Sequence, residues 1–227
     1  MNKAVNSNKQ SNLGRARLFV ISAPSGAGKT TLVRKLLARN PRVKFSISYT
    51  TRPARERERN GDDYFFVDKD QFQKMVDDNE FLEHATVFDN YYGTSRNQVR
   101  AELDAGQHVL LEIDWQGAQQ IRKAWPDCVS IFILPPSLNE LERRLRTRAT
   151  DSEAIINRRL LDSISDIGHW PEFDHVIIND DLDSALAELE AVIDGKNCET
   201  DVNNLARQQQ ISDCGFAINQ SSINEEE

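Results

Sequence analysis

Apolar residues in this chain fall into short continuous runs, separated by stretches in which they recur every three or four positions. RLFVISA (17–23) is such a run and enters a Gly-rich turn, after which TTLVRKLLAR (30–39) carries the helical period. VKFSIS (43–48) predicts a second strand. HVLLEID (108–114), VSIFIL (129–134) and DHVIIN (174–179) are further runs, apolar without alternation, as expected for strands buried on both faces of a parallel sheet. Between them the pattern predicts helices over 95–106, 115–124, 137–148, 151–168 and 181–194, with Gly106 suited to a C-terminal cap and Asp151 to an N-cap. Strand and helix alternating in this way define an α/β fold, a parallel sheet with helices on both faces.

Two segments interrupt the alternation. Residues 49–93 hold an Arg-rich loop, a short apolar DYFFV, a helix over 68–78, strand-like FLEHATVF (81–88) and an aromatic NYYG turn at 90–93. The segment 138–160 is Arg-rich and helical. A substrate-specific apparatus belongs in such insertions. Residues 1–14 are polar and read as a disordered leader. The tail from 196 to 227 is rich in Asn, Gln and Glu with little periodicity and reads as mobile.

Composition narrows the function. The 227 residues suffice for one domain, here 15–195, and not for two of full size. No apolar stretch approaches the roughly 20 residues of a membrane span, and the N-terminus lacks the apolar centre of a secretory signal, so a cytoplasmic protein without membrane partners is expected. Cys128, Cys198 and Cys214 have no metal-type spacing and read as free thiols. A net charge of −8 argues against nucleic acid as a partner, though not against phosphate ligands, because screening makes local charge decisive. Arginines cluster at 52–59 and 143–148, but with glutamates interleaved, so charge alone leaves a solvated surface as the reading.

The chemistry begins at SAPSGAGKTT (22–31). Placed between a strand and a helix, it matches a Walker A loop except for Ala23, where glycine is usual. The backbone of Ala23, Pro24, Ser25, Gly26, Ala27, Gly28 and Thr31 would cradle the phosphates of a nucleoside triphosphate. Lys29 would bridge the β- and γ-phosphates, and Thr30 would reach Mg2+. This loop alone implies ATP or a similar co-substrate and says nothing of the acceptor.

The acceptor emerges from ISYTTRPARERERNGDDYFF (47–66), FLEHATVFDNYYGTS (81–95), LLEIDWQGAQQIR (110–122) and IFILPPS (131–137). In this order after the loop they resemble guanylate kinases, and the likeness runs from about 17 to 195. It departs at Ala54 and Arg57, where proline and glycine are usual. The resemblance implies a P-loop NTPase-type sheet with a GMP-binding insert and a lid, and transfer of the ATP γ-phosphate to GMP and dGMP. By resemblance, Arg52, Arg55, Tyr64 and Tyr92 hold the GMP phosphate; guanidinium forks and phenols are suitable donors. Ser48, Glu83 and Thr94 read the base. A carboxylate accepts from guanine N1–H and its 2-amino group, whereas adenine offers a lone pair at N1.

At the end of HVLLEID, Asp114 occupies the position of a carboxylate that holds Mg2+. Glu112, two residues earlier, stands where the family it resembles often has aspartate, which implies a place on the nucleobase side of the acceptor. The resemblance also implies that Arg144, Arg148 and Arg159 act in the lid as charge clamps on the transferring group, and that Asn179 lies against the adenine of ATP. No general base is required, since the acceptor phosphate is already an oxyanion; His84 and His169 are given no role. A non-catalytic peptide-binding relative is the alternative, and the presence of Lys29, Thr30, Asp114 and the lid arginines speaks against it. A kinase for another monophosphate is disfavoured by Ser48, Glu83 and Thr94. Oligomeric state is not legible.

Overall fold

A computed structural model describes residues 15–87, 89–147, 153–196 and 199–216. Its central sheet has five parallel strands, β1 (Leu18–Ser22), β2 (Val43–Phe45), β7 (His108–Glu112), β8 (Val129–Leu134) and β9 (His175–Ile178), in the order β2-β7-β1-β8-β9. Every residue of β1 and β8 is buried. Successive residues serve opposite faces, which is why these strands show no polar alternation. Leu18, Val20, Leu111 and Phe132 pack on one side with Ala118 and Ile121 of α4 (Trp115–Ala124). On the other side, Phe19, Ile21, Leu110 and Ile131 meet Leu32 and Leu36 of α1 (Lys29–Arg39) and Leu186 and Leu189 of α7 (Leu182–Ile193). Each such side chain, fully removed from water, contributes about 1.5–3 kcal/mol.

A second sheet of four strands, β3 (Tyr49–Thr50), β4 (Phe65–Phe66), β5 (Phe81–Val87) and β6 (Asn90–Ser95), is ordered β4-β3-β6-β5. With α2 (Lys69–Asp77) it shares a small core of Phe72, Met75 and Phe81. Two sequence expectations change here. NYYG is no turn: Asn90–Ser95 forms β6, and the reversal lies between the paired Val87 and Asn90, with Asp89 at φ 64°. Aromatic and hydroxyl side chains suit a pleated, half-buried surface, and that preference wins over the Asn and Gly at either end. VKFSIS is strand only to Phe45, because the chain then leaves the first sheet and joins the second at Tyr49.

Helix α3 (Arg96–Asp104) ends as expected, with Gly106 at φ 80° just past the cap. Helices α5 (Leu138–Thr147) and α6 (Glu153–Ile167) occupy the Arg-rich segment; Arg148 and the expected N-cap Asp151 lie outside the described residues. The tail is corrected over 199–216. It contains α8 (Leu205–Asp213), capped by Asn204, and Thr200, Arg207, Ile211 and Phe216 are buried. Trp170 Nε1 donates to the Phe216 carbonyl at 3.1 Å, and Arg207 Nη2 to Glu188 of α7 at 2.6 Å. A few spaced apolar residues hold the segment down, too sparse to register as a period. Cys128 and Cys214 are free thiols; Cys198 and the leader lie outside the described residues. Among those residues no helix is long and apolar enough to cross a membrane.

Candidate active site

The loop between β1 and α1 leaves the carboxyl end of the central strand, where ligands of open α/β sheets bind. Gly26 and Gly28 have φ of 92° and 94°, and Gly28 is the N-cap of α1 without any side-chain cap bond. The Gly28 carbonyl accepts from Thr31 N and Leu32 N at 3.1 and 3.2 Å, so the Lys29 and Thr30 amides before them stand at the positive dipole end of the helix, an anion site built from backbone. Gly28 is required twice over, because a methyl group there would lie 2.3 Å from Asn179 Nδ2. Asn179, just after β9 and 5% exposed, donates from Nδ2 to the Ala27 carbonyl at 2.7 Å. Its amide thus shapes the loop. It also borders a cavity of about 340 Å3 formed by Gly26, Gly28 and Thr31, α5 and the Asn179–Leu182 turn.

Lys29 Nζ donates to the Ile113 carbonyl at 3.1 Å, and burial lowers its pKa while Glu112, Asp114 and Asp166 of α6 oppose that shift. Thr30 Oγ1 donates to Glu112 Oε1 at 2.6 Å. Glu112, expected on the nucleobase side, is thereby found at the phosphate loop. The strand face that holds Asp114 also holds Glu112, and β7 neighbours β1. Asp114 caps α4, with Oδ1 accepting from Gly117 N at 2.7 Å.

Arg144 lies behind the loop. Its Nε donates to Glu140 at 2.7 Å and its Nη2 to the Asn179 carbonyl at 3.0 Å. Arg143 and Arg144 hold the Glu140 carboxyl down to about 2. Arg159 is exposed on α6, one turn before Ser163, whose hydroxyl donates to the Ser25 carbonyl at 3.3 Å.

The insert supplies a second cluster. Glu83 and Thr94 are a cross-strand pair of β5 and β6, and Thr94 Oγ1 donates to Glu83 Oε1 at 2.6 Å. Glu83 is 4% exposed, and burial pushes its carboxyl up to about 7, with the nearby Asp114 adding to the rise. Arg52 is gripped by both oxygens of Glu58, at 2.8 and 2.9 Å, and its guanidinium lies 5.4 Å from the Tyr64 ring centre. Tyr64 and Tyr92 are edge to face at 6.0 Å, and burial raises the Tyr64 phenol. Ser48 is half-buried just before β3, its carbonyl accepting from Phe65 N at 2.9 Å. Arg55 stands apart. Its side chain is 77% exposed and approaches Glu58 only to 4.0 Å.

Sequence reasoning missed Asp166, which has no motif around it, and the roles of Glu58, Gly117 and Gln120. The last two stand three apart in DWQGAQQ, a spacing that puts them on one helix face.

A Gly-rich loop between β1 and α1, a half-buried lysine at its end and a carboxylate-ended neighbouring strand define a P-loop nucleotide-binding protein, and the separate acceptor-like insert gives it the form of a phosphotransferase. Residues 15–196 match the family model described as guanylate kinase. A guanylate kinase from Hydrogenovibrio crunogenus is 56% identical over 175 residues, 77% of this chain and 85% of the relative. One from Bradyrhizobium diazoefficiens is 50% identical over 203 residues, 89% of this chain and 90% of the relative. The crystal structure of guanylate kinase from Anaplasma phagocytophilum superposes with a TM-score of 0.67 at 32% identity, covering 88% of this chain and 95% of that one. The chain belongs to the guanylate kinase family.

Proposed function

We propose that this protein transfers the γ-phosphoryl group of ATP to GMP, giving ADP and GDP, and accepts dGMP as well. The observation that carries the choice of acceptor is the buried Glu83–Thr94 pair, close enough to feel the charge of Asp114, which in turn acts on Lys29 of the phosphate loop. An ionised carboxylate takes the two adjacent N–H donors of guanine. Adenine would leave it opposed to a lone pair, at a cost of about 1–3 kcal/mol for each buried group left unpaired.

The roles divide by geometry. The loop amides and Lys29 bind the triphosphate, and Arg52 with the Tyr64 and Tyr92 hydroxyls receives the acceptor phosphate. Arg55 would have to swing inward from solvent to join them. Arg144 and Arg159 act from the lid, as does Arg148, which lies beyond the described residues. Thr30 and Glu112 present hard oxygen donors 2.6 Å apart beside the loop. They fit Mg2+, which takes one or two protein ligands and completes its shell from phosphate and water. Asp114 supports that charge from the helix N-cap. When bound, the ion would neutralise charge on the phosphates. The acceptor phosphate needs no proton removed, so alignment and electrostatics supply the rate enhancement. Closing the lid over the insert excludes water, which would otherwise consume ATP. We place the protein in the cytoplasm, acting on free nucleotides and not on nucleic acid, in keeping with its charge of −8.

A coupled assay of ADP release with GMP, dGMP, AMP and UMP tests the reading. Turnover with the guanine nucleotides and little with the others is expected. Equal turnover of AMP would refute it.

A further inference from the structure

Helix α4 backs directly onto the residue that would read the base. Gly117, in its first turn, has no positive φ, so the backbone there makes no demand for glycine. Space does. A methyl group at Gly117 would lie 2.9 Å from Glu83 Oε2 and 3.3 Å from Asp114 Oδ1. The Glu83 carboxylate cannot simply retreat, since it is buried and its other oxygen is bound by Thr94 at 2.6 Å. One turn on, Gln120 holds the strand on which Glu83 stands. Its Oε1 accepts from His84 N at 3.1 Å and its Nε2 donates to the His84 carbonyl at 2.9 Å.

We infer that Gly117 is a specificity-determining position: its missing side chain is the seat of the Glu83 carboxylate, and with the Gln120 clamp it fixes where guanine is read. The inference rests on the assignment of Glu83 to the base. Gly117 N also donates to Asp114, so one helical turn carries both the seat of the acceptor carboxylate and the cap beside Lys29. A side chain here presses first on the Glu83 carboxylate, at 2.9 Å, and less on Asp114, at 3.3 Å, whereas the loop amides that would bind ATP meet no new atom.

The test is Gly117→Ala, a change toward the better helix former. It should raise the GMP KM about tenfold or more while the ATP KM stays within twofold, and shrink the GMP/AMP ratio of kcat/KM. Glu83→Asp, which withdraws the carboxylate by one methylene, should restore part of the GMP/AMP ratio when combined with Gly117→Ala. Gly117→Ala with an unchanged GMP KM overturns the inference, as does an equal rise in both KM values. If Gly117→Ala does not fold, the double variant decides: recovery of the fold supports the seat, and continued failure overturns it. Glu83→Gln run in parallel separates the layers. If it too leaves the GMP/AMP ratio unchanged, the base-reading assignment itself falls. If it alters the ratio while Gly117→Ala does not, only the seat falls.

Discussion

The Arg52 guanidinium is held by both carboxylate oxygens of Glu58, six residues away, with the two side chains only 15% and 16% exposed. A paired, half-enclosed arginine is pre-organised, since Glu58, the Pro53 carbonyl at 2.9 Å and the Tyr64 ring settle its rotamer before any anion arrives. Glu58→Gln should therefore raise the GMP KM by about 5–30-fold, the equivalent of roughly 1–2 kcal/mol, with the ATP KM unaffected. Steady-state kinetics in each substrate checks this. A lower GMP KM would mean that Glu58 competes with the phosphate instead of presenting Arg52 to it.

Burial holds the Glu83 carboxyl at about 7, above its ordinary value of 4.5. Guanine binding requires the ionised form, so GMP affinity should rise about tenfold between pH 6 and pH 8. The GMP phosphate also titrates near pH 6, and Glu83→Gln separates the two by removing only the upper inflection. Stability runs the opposite way. The folded carboxyl binds a proton that the unfolded one has already lost, so this group's contribution is full below about pH 4.5 and is lost as pH rises through 7, by roughly 3 kcal/mol at most. Denaturant melts of the free protein and of Glu83→Gln at pH 5 and pH 8 measure it. GMP should offset the loss at pH 8.

Gly28 combines a φ of 94° with the near contact to Asn179. Gly28→Ala should cost about 100-fold or more in kcat/KM for ATP, since small displacements of loop amides misalign the phosphates. Asn179→Ala in the same chain removes the collision but leaves the backbone strain of about 1–2 kcal/mol, so recovery should be partial. Full recovery would show that the collision alone matters.

Helix α8 lies against the sheet and α7, with Arg207 buried on Glu188. Arg207→Ala should lower stability by about 2 kcal/mol, roughly 4–8 °C in melting temperature, because it strands a half-buried carboxylate. Both KM values should stay within twofold. A thermal melt with parallel kinetics distinguishes this from a role in catalysis.

Much of this could be read from the sequence because the central strands are buried on both faces and leave uninterrupted apolar runs, and because a Gly-rich turn between strand and helix has one physical use. The insert was harder. Glu83 in FLEH looks like a surface charge until the cross-strand neighbour Thr94 is known, and β6 hid behind Asn90 and Gly93. The Glu112–Thr30 bond depends on β7 lying next to β1, a long-range adjacency that residue spacing does not report. Segment 199–216 failed for the opposite reason. Its order comes from single anchors such as Trp170 to Phe216 and Arg207 to Glu188, and local pattern carries no trace of a partner lying elsewhere in the chain.

The most direct test is a structure of the protein with GMP, Mg2+ and a non-hydrolysable ATP analogue bound together. Guanine N1 and the 2-amino nitrogen should lie about 2.7–3.0 Å from the Glu83 carboxylate, with Lys29 turned from the Ile113 carbonyl onto the phosphates. A purine seated away from Glu83, or Lys29 still on Ile113 with the triphosphate in place, would contradict the account.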